Sequence, residues 1–169
     1  MTLTGSAVIV RVELVDCLSG GVVWAETYSE ASERVHELLP EIAARVVSTL
    51  EIQISSHEAQ LARLIAPESL NAWSAYHVGL DHMFRFNQAD NAVAADMFAR
   101  AIQGDPRFAR AYAGLSFTHF QNAFMNYSPN RGAEAEAAFE LAKQAMSWDR
   151  LDPFCHLNLG RSLLLSGDL

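Results

Sequence analysis

Small residues at helical spacing mark the segment from residue 70 to 106 and constrain the fold more than any other feature. Gly79 lies within a helical pattern, where glycine costs about 1 kcal/mol relative to alanine, and such a cost usually has a packing reason. After a polar break, residues at spacings of four and three share one helical face: Ala94, Phe98 and Ala101. Pro106 then begins the next helix, because proline is tolerated in a first turn. The segment therefore predicts a helical hairpin that leads directly into another.

The same pattern recurs along the rest of the chain. Residues 107–123 are rich in aromatic side chains, and residues 133–147, which follow a loop-forming stretch, are rich in alanine. The alanines that repeat the earlier spacing are Ala138, Ala142 and Ala145. In the last segment Leu159 and Gly160 resemble the surroundings of Gly79. The sequence predicts a mainly α-helical solenoid whose last hairpin is cut short by the end of the chain.

The beginning of the chain follows a different pattern. Apolar and polar side chains alternate in residues 7–15, which predicts a half-buried strand, and residues 22–28 predict a second one. Between them the sequence DCLSGG favours a turn, in which Asp16 accepts hydrogen bonds from turn amides and Gly20 or Gly21 adopts a positive φ. We therefore expect a β-hairpin, which is only marginally stable by itself in water.

Apolar residues at spacings of three and four predict one long helix over residues 32–65, with Pro40 either as a kink or close to its true start. Three arrangements would stabilise the hairpin: this helix covers it, further strands precede it, or another chain completes the sheet. The break at residues 66–69, with Ser69 as an N-cap, marks the predicted domain boundary. Because the alternating segment begins close to Met1, we expect the chain to start inside a larger domain.

Residues 67–169 resemble tetratricopeptide repeats (TPR), whose signature is W-x₂-L-G-x₂-Y, then A-x₃-F, then proline. The resemblance implies about two and a half degenerate repeats, truncated at the C-terminus. It assigns helix packing to Gly79, Ala94, Phe98, Ala101, Pro106, Tyr112, Leu115, Ala138, Ala142, Leu159 and Gly160. Two departures concern spacing: the first repeat is about three residues too long, and the second carries an insert of about ten residues around 122–131.

Residues 1–66 resemble the C-terminal part of a TolB-like αβ domain. The matching pieces are Asp16-x₃-Gly20, Trp24-Ala25-Glu26, Tyr28 and the junction at residues 69–73. Such domains precede TPR repeats in bacterial class III adenylate cyclases and in winged-helix transcriptional regulators of the CadC/HilA type. The resemblance implies a regulatory segment of one of these proteins. Neither a catalytic cyclase segment nor a DNA-binding helix matches within the chain.

Composition excludes several other classes of function. The net charge is −8, from 20 acidic and 12 basic residues, which argues against a broad grip on nucleic acid or anionic lipid. No apolar run reaches the roughly 18 residues of a membrane helix, and the N-terminus lacks the features of a signal peptide. Cys17 and Cys155 lie far apart without a CxxC spacing, which favours buried, reduced thiols over a disulfide. We expect a cytoplasmic protein.

No pattern predicts catalysis or cofactor binding. His77 and Asp81 share a helical face, but His82 points away from it, so a compact metal site has poor geometry. His119 and His156 occupy packing positions, and no basic residue flanks either cysteine to activate it. The chain has no nucleophile elbow, P-loop or dinucleotide-binding motif. We therefore expect a protein that is not an enzyme and binds no metal or cofactor.

The remaining prediction is a binding groove. In stacked helical hairpins the first helix of each repeat lines a concave face that binds peptides or protein segments. That register assigns the face to Trp73, Tyr76, Leu80, Phe84, Arg110, Ala113, Phe117, Gln121 and Arg161. Such an apolar groove with two arginines suits a segment that carries a carboxylate. Alternatively, the 34–65 helix or further repeats cover it.

Three functions follow as hypotheses. The first is a non-catalytic interaction module that binds a protein or peptide segment. The second is the regulatory part of a class III adenylate or guanylate cyclase. The third is self-association as a homo-oligomer, through the unfinished sheet and the truncated solenoid.

Overall fold

The computed structural model describes residues 7–31, 35–62, 64 and 70–167. Within these ranges the protein is mainly helical, with six helices and one two-stranded antiparallel sheet. The elements are β1 (Ala7–Val15), β2 (Val22–Ala31), α1 (Val35–Ala62), α2 (Ala72–Met83), α3 (Gln88–Gly104), α4 (Ala109–Phe124), α5 (Arg131–Trp148) and α6 (Pro153–Ser166). None of the helices in these ranges is long and apolar enough to cross a membrane.

The chain divides into two compact units, Met1–His57 and Glu58–Leu169. The boundary predicted at residues 66–69, with Ser69 as a cap, lies outside the described residues. The assignment of residues 1–66 to a TolB-like domain stays a prediction.

The first unit contains the predicted β-hairpin. Along β1 the even-numbered residues are half-buried and the odd-numbered ones exposed, as the alternation indicated. Asp16 closes the turn: its Oδ1 accepts a hydrogen bond from the Leu18 amide at 2.9 Å, and its Oδ2 accepts one from the Ser19 hydroxyl at 2.6 Å. These hydrogen bonds lower the pKa of Asp16. Gly20 has a φ of +70°, the left-handed conformation that the turn requires.

A helix covers this hairpin, the first of the three predicted arrangements. Tyr28 of β2 and Ile42 of α1 are both buried and form a small core with Val10, Val12 and Val46. The long helix runs through Pro40, so this residue neither begins nor ends it. The sheet is thus stabilised by helix packing within the same unit.

The second unit consists of two helical hairpins followed by α6. In the first hairpin α2 packs against α3, in the second α4 packs against α5, and α4 also contacts α3 and α6. Side chains cap four of the helix N-termini: Asn71, Asn87, Asn130 and Asp152 accept hydrogen bonds from first-turn amides of α2, α3, α5 and α6. The helices predicted in this region are therefore present, with ends within a few residues of those predicted.

Phe98 of α3 is the centre of this unit. It is fully buried, and its ring lies against two glycines that have no side chain to exclude it. A Cβ on Gly79 of α2 would lie 2.8 Å from Phe98 Cε1, and one on Gly114 of α4 would lie 2.6 Å from the same atom. The costly glycine in the sequence thus makes room for a side chain of the partner helix. In the next hairpin the Ser116 hydroxyl instead donates a hydrogen bond of 2.7 Å to the Ala138 carbonyl.

The other residues assigned to helix packing divide into two groups. Ala94, Ala101, Ala138 and Ala142 are fully buried, Tyr112 is nearly so, and Leu115 and Leu159 are half-buried. Pro106 and Gly160 are exposed. Nothing in the structure lies within 4 Å of the position of a Cβ on Gly160, so this glycine makes no close helix contact within the described residues.

Candidate partner-binding surface

Five of the nine predicted groove residues are buried inside the second unit. The buried groove residues are Tyr76, Leu80, Ala113, Phe117 and Gln121. The Gln121 amide donates a hydrogen bond of 3.1 Å to the Met83 carbonyl at the end of α2, so it satisfies the protein's own backbone. These side chains hold the hairpins together, because successive helices pack closely enough to enclose them. The surface available to a partner is therefore smaller than the predicted groove.

Arg110 already has a carboxylate partner within the chain. Its Nε lies 2.5 Å from Asp152 Oδ2, while Asp152 Oδ1 accepts hydrogen bonds from the amides of Phe154 and Cys155. Burial raises the pKa of Asp152, but the hydrogen bonds from Arg110 and from the amides outweigh it and leave the pKa below the ordinary value. The prediction that Arg110 awaits a partner's carboxylate requires this correction: Arg110 joins α4 to the start of α6.

Aromatic side chains, several of them exposed, lie near the C-terminal ends of α2 and α4. Five rings form a continuous series that we call the aromatic row: Phe84, Phe86, Phe117, Phe120 and Phe124. Neighbouring ring centroids in the row are 5.3–6.5 Å apart. Phe84, Phe86 and Phe124 are 57%, 54% and 55% exposed, whereas Phe117 in the middle of the row is buried. Adjacent exposed aromatic rings of this kind are typical of protein-binding surfaces.

Phe86 has an unusual backbone conformation. Its φ is +51°, a left-handed conformation that is rare for a bulky residue and occurs most often at functional or tightly constrained positions. The Tyr127 hydroxyl, from the loop between α4 and α5, donates a hydrogen bond of 3.0 Å to the Phe86 carbonyl. The side-chain amide of Gln88 donates a hydrogen bond of 2.9 Å to the Tyr127 carbonyl. The two hairpin loops thus hold each other, and Phe86 is fixed with its ring exposed.

Arg161 borders the aromatic row. Its guanidinium carbon lies 4.2 Å from the centroid of the Phe117 ring, a cation–π contact, and Nη1 donates to Asn158 Oδ1 at 3.2 Å. The side chain is half-buried, and burial lowers its pKa. Among the described residues no carboxylate forms an ion pair with Arg161. It is the groove arginine that retains capacity for an acidic group.

Trp73 forms a separate aromatic cluster at the start of α2. Its ring is stacked on Phe108 with centroids 6.4 Å apart and meets His77 edge-on at 4.3 Å. Burial, with a smaller effect of Arg110, lowers the pKa of His77 to about 4. Trp73 remains 47% exposed. The rings that Trp73 contacts are those of Tyr76, His77 and Phe108, and none of these belongs to the aromatic row.

The other polar candidates serve the structure. His82 Nδ1 lies 2.6 Å from Asp90 Oδ1, and Arg85 pairs with both Asp81 and Asp90. In the second hairpin His119 Nδ1 lies 2.6 Å from Glu134 Oε2. Within the described part of the chain no three His, Cys, Asp or Glu side chains are arranged to hold a metal ion.

The two cysteines have different environments. Cys155 is buried, and burial together with Asp152 and Asp149 raises the pKa of its thiol to about 12, which suits an inert side chain. Cys17 is exposed in the turn between the strands, contrary to the expectation that both thiols are buried.

Three members of the row, Phe86, Phe120 and Phe124, were not among the predicted groove residues. Residues 117, 120 and 124 follow a helical spacing of three and four, so their common face could have been recognised. Phe86 could not, because it lies just before the polar break predicted at residues 87–91, and its backbone is held by the contact with Tyr127, which is 41 residues away.

Comparison with known proteins gives one informative similarity. The chain is 24% identical over 157 residues to a protein of Rhizobium meliloti (strain 1021) named "Putative adenylate cyclase 3". The match covers 91% of the chain but only 26% of that protein, so the chain spans about a quarter of its relative's length. No family model and no solved structure matches the chain. The similarity agrees with the adenylate cyclase part of the predicted parentage, while the TPR and TolB-like assignments stay predictions.

Proposed function

We propose that the chain is a non-catalytic regulatory region of a bacterial signalling protein and that it binds a protein segment on the aromatic row. The observation that carries this proposal is the exposure of Phe84 and Phe86, whose rings are neighbours, and of Phe124 at the other end of the same row, on a well-packed helical scaffold. Each exposed phenylalanine forgoes the free energy of burying its ring, and a partner that covers the row would recover that free energy. The fixed loop conformation of Phe86 reduces the ordering cost of binding.

The hairpins are proposed to be degenerate TPR repeats. Support comes from the order of packing, in which each helix contacts the next and α4 also contacts α3 and α6. Further support comes from the small residues at the helix contacts, with Gly79 and Ser116 at matching positions of successive hairpins. The insert around residues 122–131 forms the end of α4 and a loop that contacts the preceding loop through Tyr127. A helical repeat scaffold of this kind presents extended surfaces to protein segments.

Selection from a random peptide library tests the proposal. Peptides selected on the immobilised wild-type chain should bind a Phe86→Ala variant at least about tenfold more weakly, since a central aromatic contact contributes 1.4 kcal/mol or more. The matched control is Leu151→Ala, which removes an apolar side chain that is 89% exposed but lies outside the row. If both variants lose the same affinity for the peptides, or if neither loses any, the aromatic row is not the binding surface.

A regulatory role in a class III nucleotide cyclase is the second candidate, favoured by the similarity to the Rhizobium meliloti protein. The test uses the full-length protein that contains this chain. Phe86→Ala should change its cyclase activity while Leu151→Ala leaves it unchanged. A full-length protein with a winged-helix domain and no cyclase activity would exclude this candidate in favour of a transcriptional regulator. Light scattering of the chain over a range of concentrations tests the self-association alternative.

A further inference from the structure

If the aromatic row binds a protein segment, as proposed above, Arg161 indicates the chemistry of that segment. Five of the nine arginines in the described part of the chain form ion pairs with acidic side chains: Arg11, Arg45, Arg85, Arg100 and Arg110. Arg161 differs because its guanidinium is partly buried, lies on an aromatic ring and forms no ion pair within the described residues. A partly buried charge without a counter-charge is unfavourable, and an acidic ligand would compensate it.

Arg161 and Phe86 contact the same ring. The Arg161 guanidinium carbon lies 4.2 Å from the centroid of Phe117, and the Phe86 centroid lies 6.5 Å from it in an edge-on arrangement. Arg161 uses one N–H group for Asn158, and the guanidinium has five in all. Its planar group can therefore bind a carboxylate through two parallel hydrogen bonds next to the exposed rings.

We propose that the aromatic row and Arg161 together bind a short protein segment in which an aspartate or glutamate stands next to an aromatic or large aliphatic side chain. The apolar side chain packs on Phe86 and Phe84, and the carboxylate binds Arg161. The segment carries its charge beside the middle of the row, where Arg161 lies over the ring of Phe117. Charge complementarity at Arg161 thus selects acidic over neutral or basic segments.

The test compares peptide pools selected from a random twelve-residue library. On the wild-type chain the pool should be enriched in Asp or Glu beside an apolar residue. In the pool selected on the Arg161→Gln variant, the enrichment in Asp and Glu should disappear while the enrichment in apolar residues remains. Arg150→Gln, which changes an exposed arginine outside the row, should give the wild-type pool. An Arg161→Gln pool as acidic as the wild-type pool would overturn the proposal.

A second measurement needs no altered protein. Replacing Glu by Gln, or Asp by Asn, in a selected peptide should weaken its binding to the wild-type chain about tenfold, as expected for a charge-assisted hydrogen bond worth about 1.4 kcal/mol. Unchanged binding would overturn the proposal. If the selected peptides depend on Phe86 but show no acidic preference, this inference fails and the proposed function stands. If they do not depend on Phe86 at all, the proposed function itself fails.

Discussion

The ring of Phe98 occupies the space that a side chain on Gly114 would need: Cε1 and Cζ lie 2.6 Å from the position of a β-carbon there. On the other side of the ring, a β-carbon on Gly79 of α2 would lie 2.8 Å from Phe98 Cε1. Phe98 of α3 is therefore held between glycines of α2 and α4. The packing of α3 against α2 within the first hairpin therefore depends on Gly79, and its packing against α4 of the second hairpin depends on Gly114.

Gly114→Ala should destabilise the second unit. Alanine in a helix gains about 1 kcal/mol over glycine, but forcing a methyl group to within 2.6 Å of a fully buried ring belongs at the upper end of an overpacking cost of about 1–3 kcal/mol, so we expect a net loss of up to about 2 kcal/mol. Urea unfolding followed by circular dichroism measures this change. Combining Gly114→Ala with Phe98→Leu should recover part of the loss from the first substitution, because the smaller side chain vacates the contact.

Gly160→Ala is the matched control for this prediction. Gly160 also lies inside a helix, but it is exposed and nothing lies within 4 Å of its Cβ position. The free energy of unfolding should therefore rise by about 0.5–1 kcal/mol, the ordinary helix preference of alanine. A loss of stability at Gly160 comparable to that at Gly114 would contradict the packing explanation.

Asp152→Asn should weaken the joint between α4 and α6. Asparagine keeps an oxygen that can cap α6, but it loses the charge that pairs with Arg110, so we expect a loss of about 1 kcal/mol at neutral pH. The folded pKa of Asp152 is depressed, so this stabilisation is present above the unfolded pKa of about 3.9 and is lost as the pH falls through the folded pKa. The difference in the free energy of unfolding between wild type and variant should be constant near neutral pH and should become smaller in acid.

The exposed pair Asp96–Arg100 provides the comparison, since its carboxylate lies 2.9 Å from Arg100 but on the surface of α3. Asp96→Asn should change the free energy of unfolding by less than about 0.5 kcal/mol. If Asp152→Asn changes the free energy of unfolding as little as Asp96→Asn does at every pH, the pairing of Arg110 with Asp152 does not stabilise the contact between α4 and α6.

Local patterns predicted most of the secondary structure. The alternation in β1, the turn at Asp16 and Gly20, and the helical periodicities depend on neighbours in sequence, so the sequence alone was sufficient. The contact of Gly114 with Phe98 and the pairing of Arg110 with Asp152, 42 residues away, depend on how the hairpins stack. For the same reason, the sequence assigned side chains to an open groove that the packed hairpins bury. The positions of helix faces were predictable, but the distances between helices were not.

Ile42→Ala should destabilise the first unit. Ile42 is 7% exposed and contacts the small core around Tyr28, so truncation should cost about 2 kcal/mol or more. Hydrogen exchange of the β1 and β2 amides should become correspondingly faster. Val47→Ala, on the same helix but 65% exposed, should leave the exchange rates nearly unchanged. Equal protection in both variants would mean that α1 does not stabilise the hairpin.

Phe86→Asn should separate stability from binding. Asparagine tolerates the left-handed conformation at Phe86, which relieves a backbone cost of order 1 kcal/mol, while the lost ring contact with Phe117 costs about 0.5–1.5 kcal/mol. These effects nearly cancel, so the free energy of unfolding should change by less than about 1 kcal/mol. Peptides selected on the wild-type chain should nevertheless bind at least about tenfold more weakly, because the exposed ring is gone. The control Phe86→Tyr keeps the aromatic ring and should bind the same peptides with wild-type affinity. If Phe86→Asn also binds them as tightly as wild type, the conformation of Phe86 serves the structure of the loop and not binding.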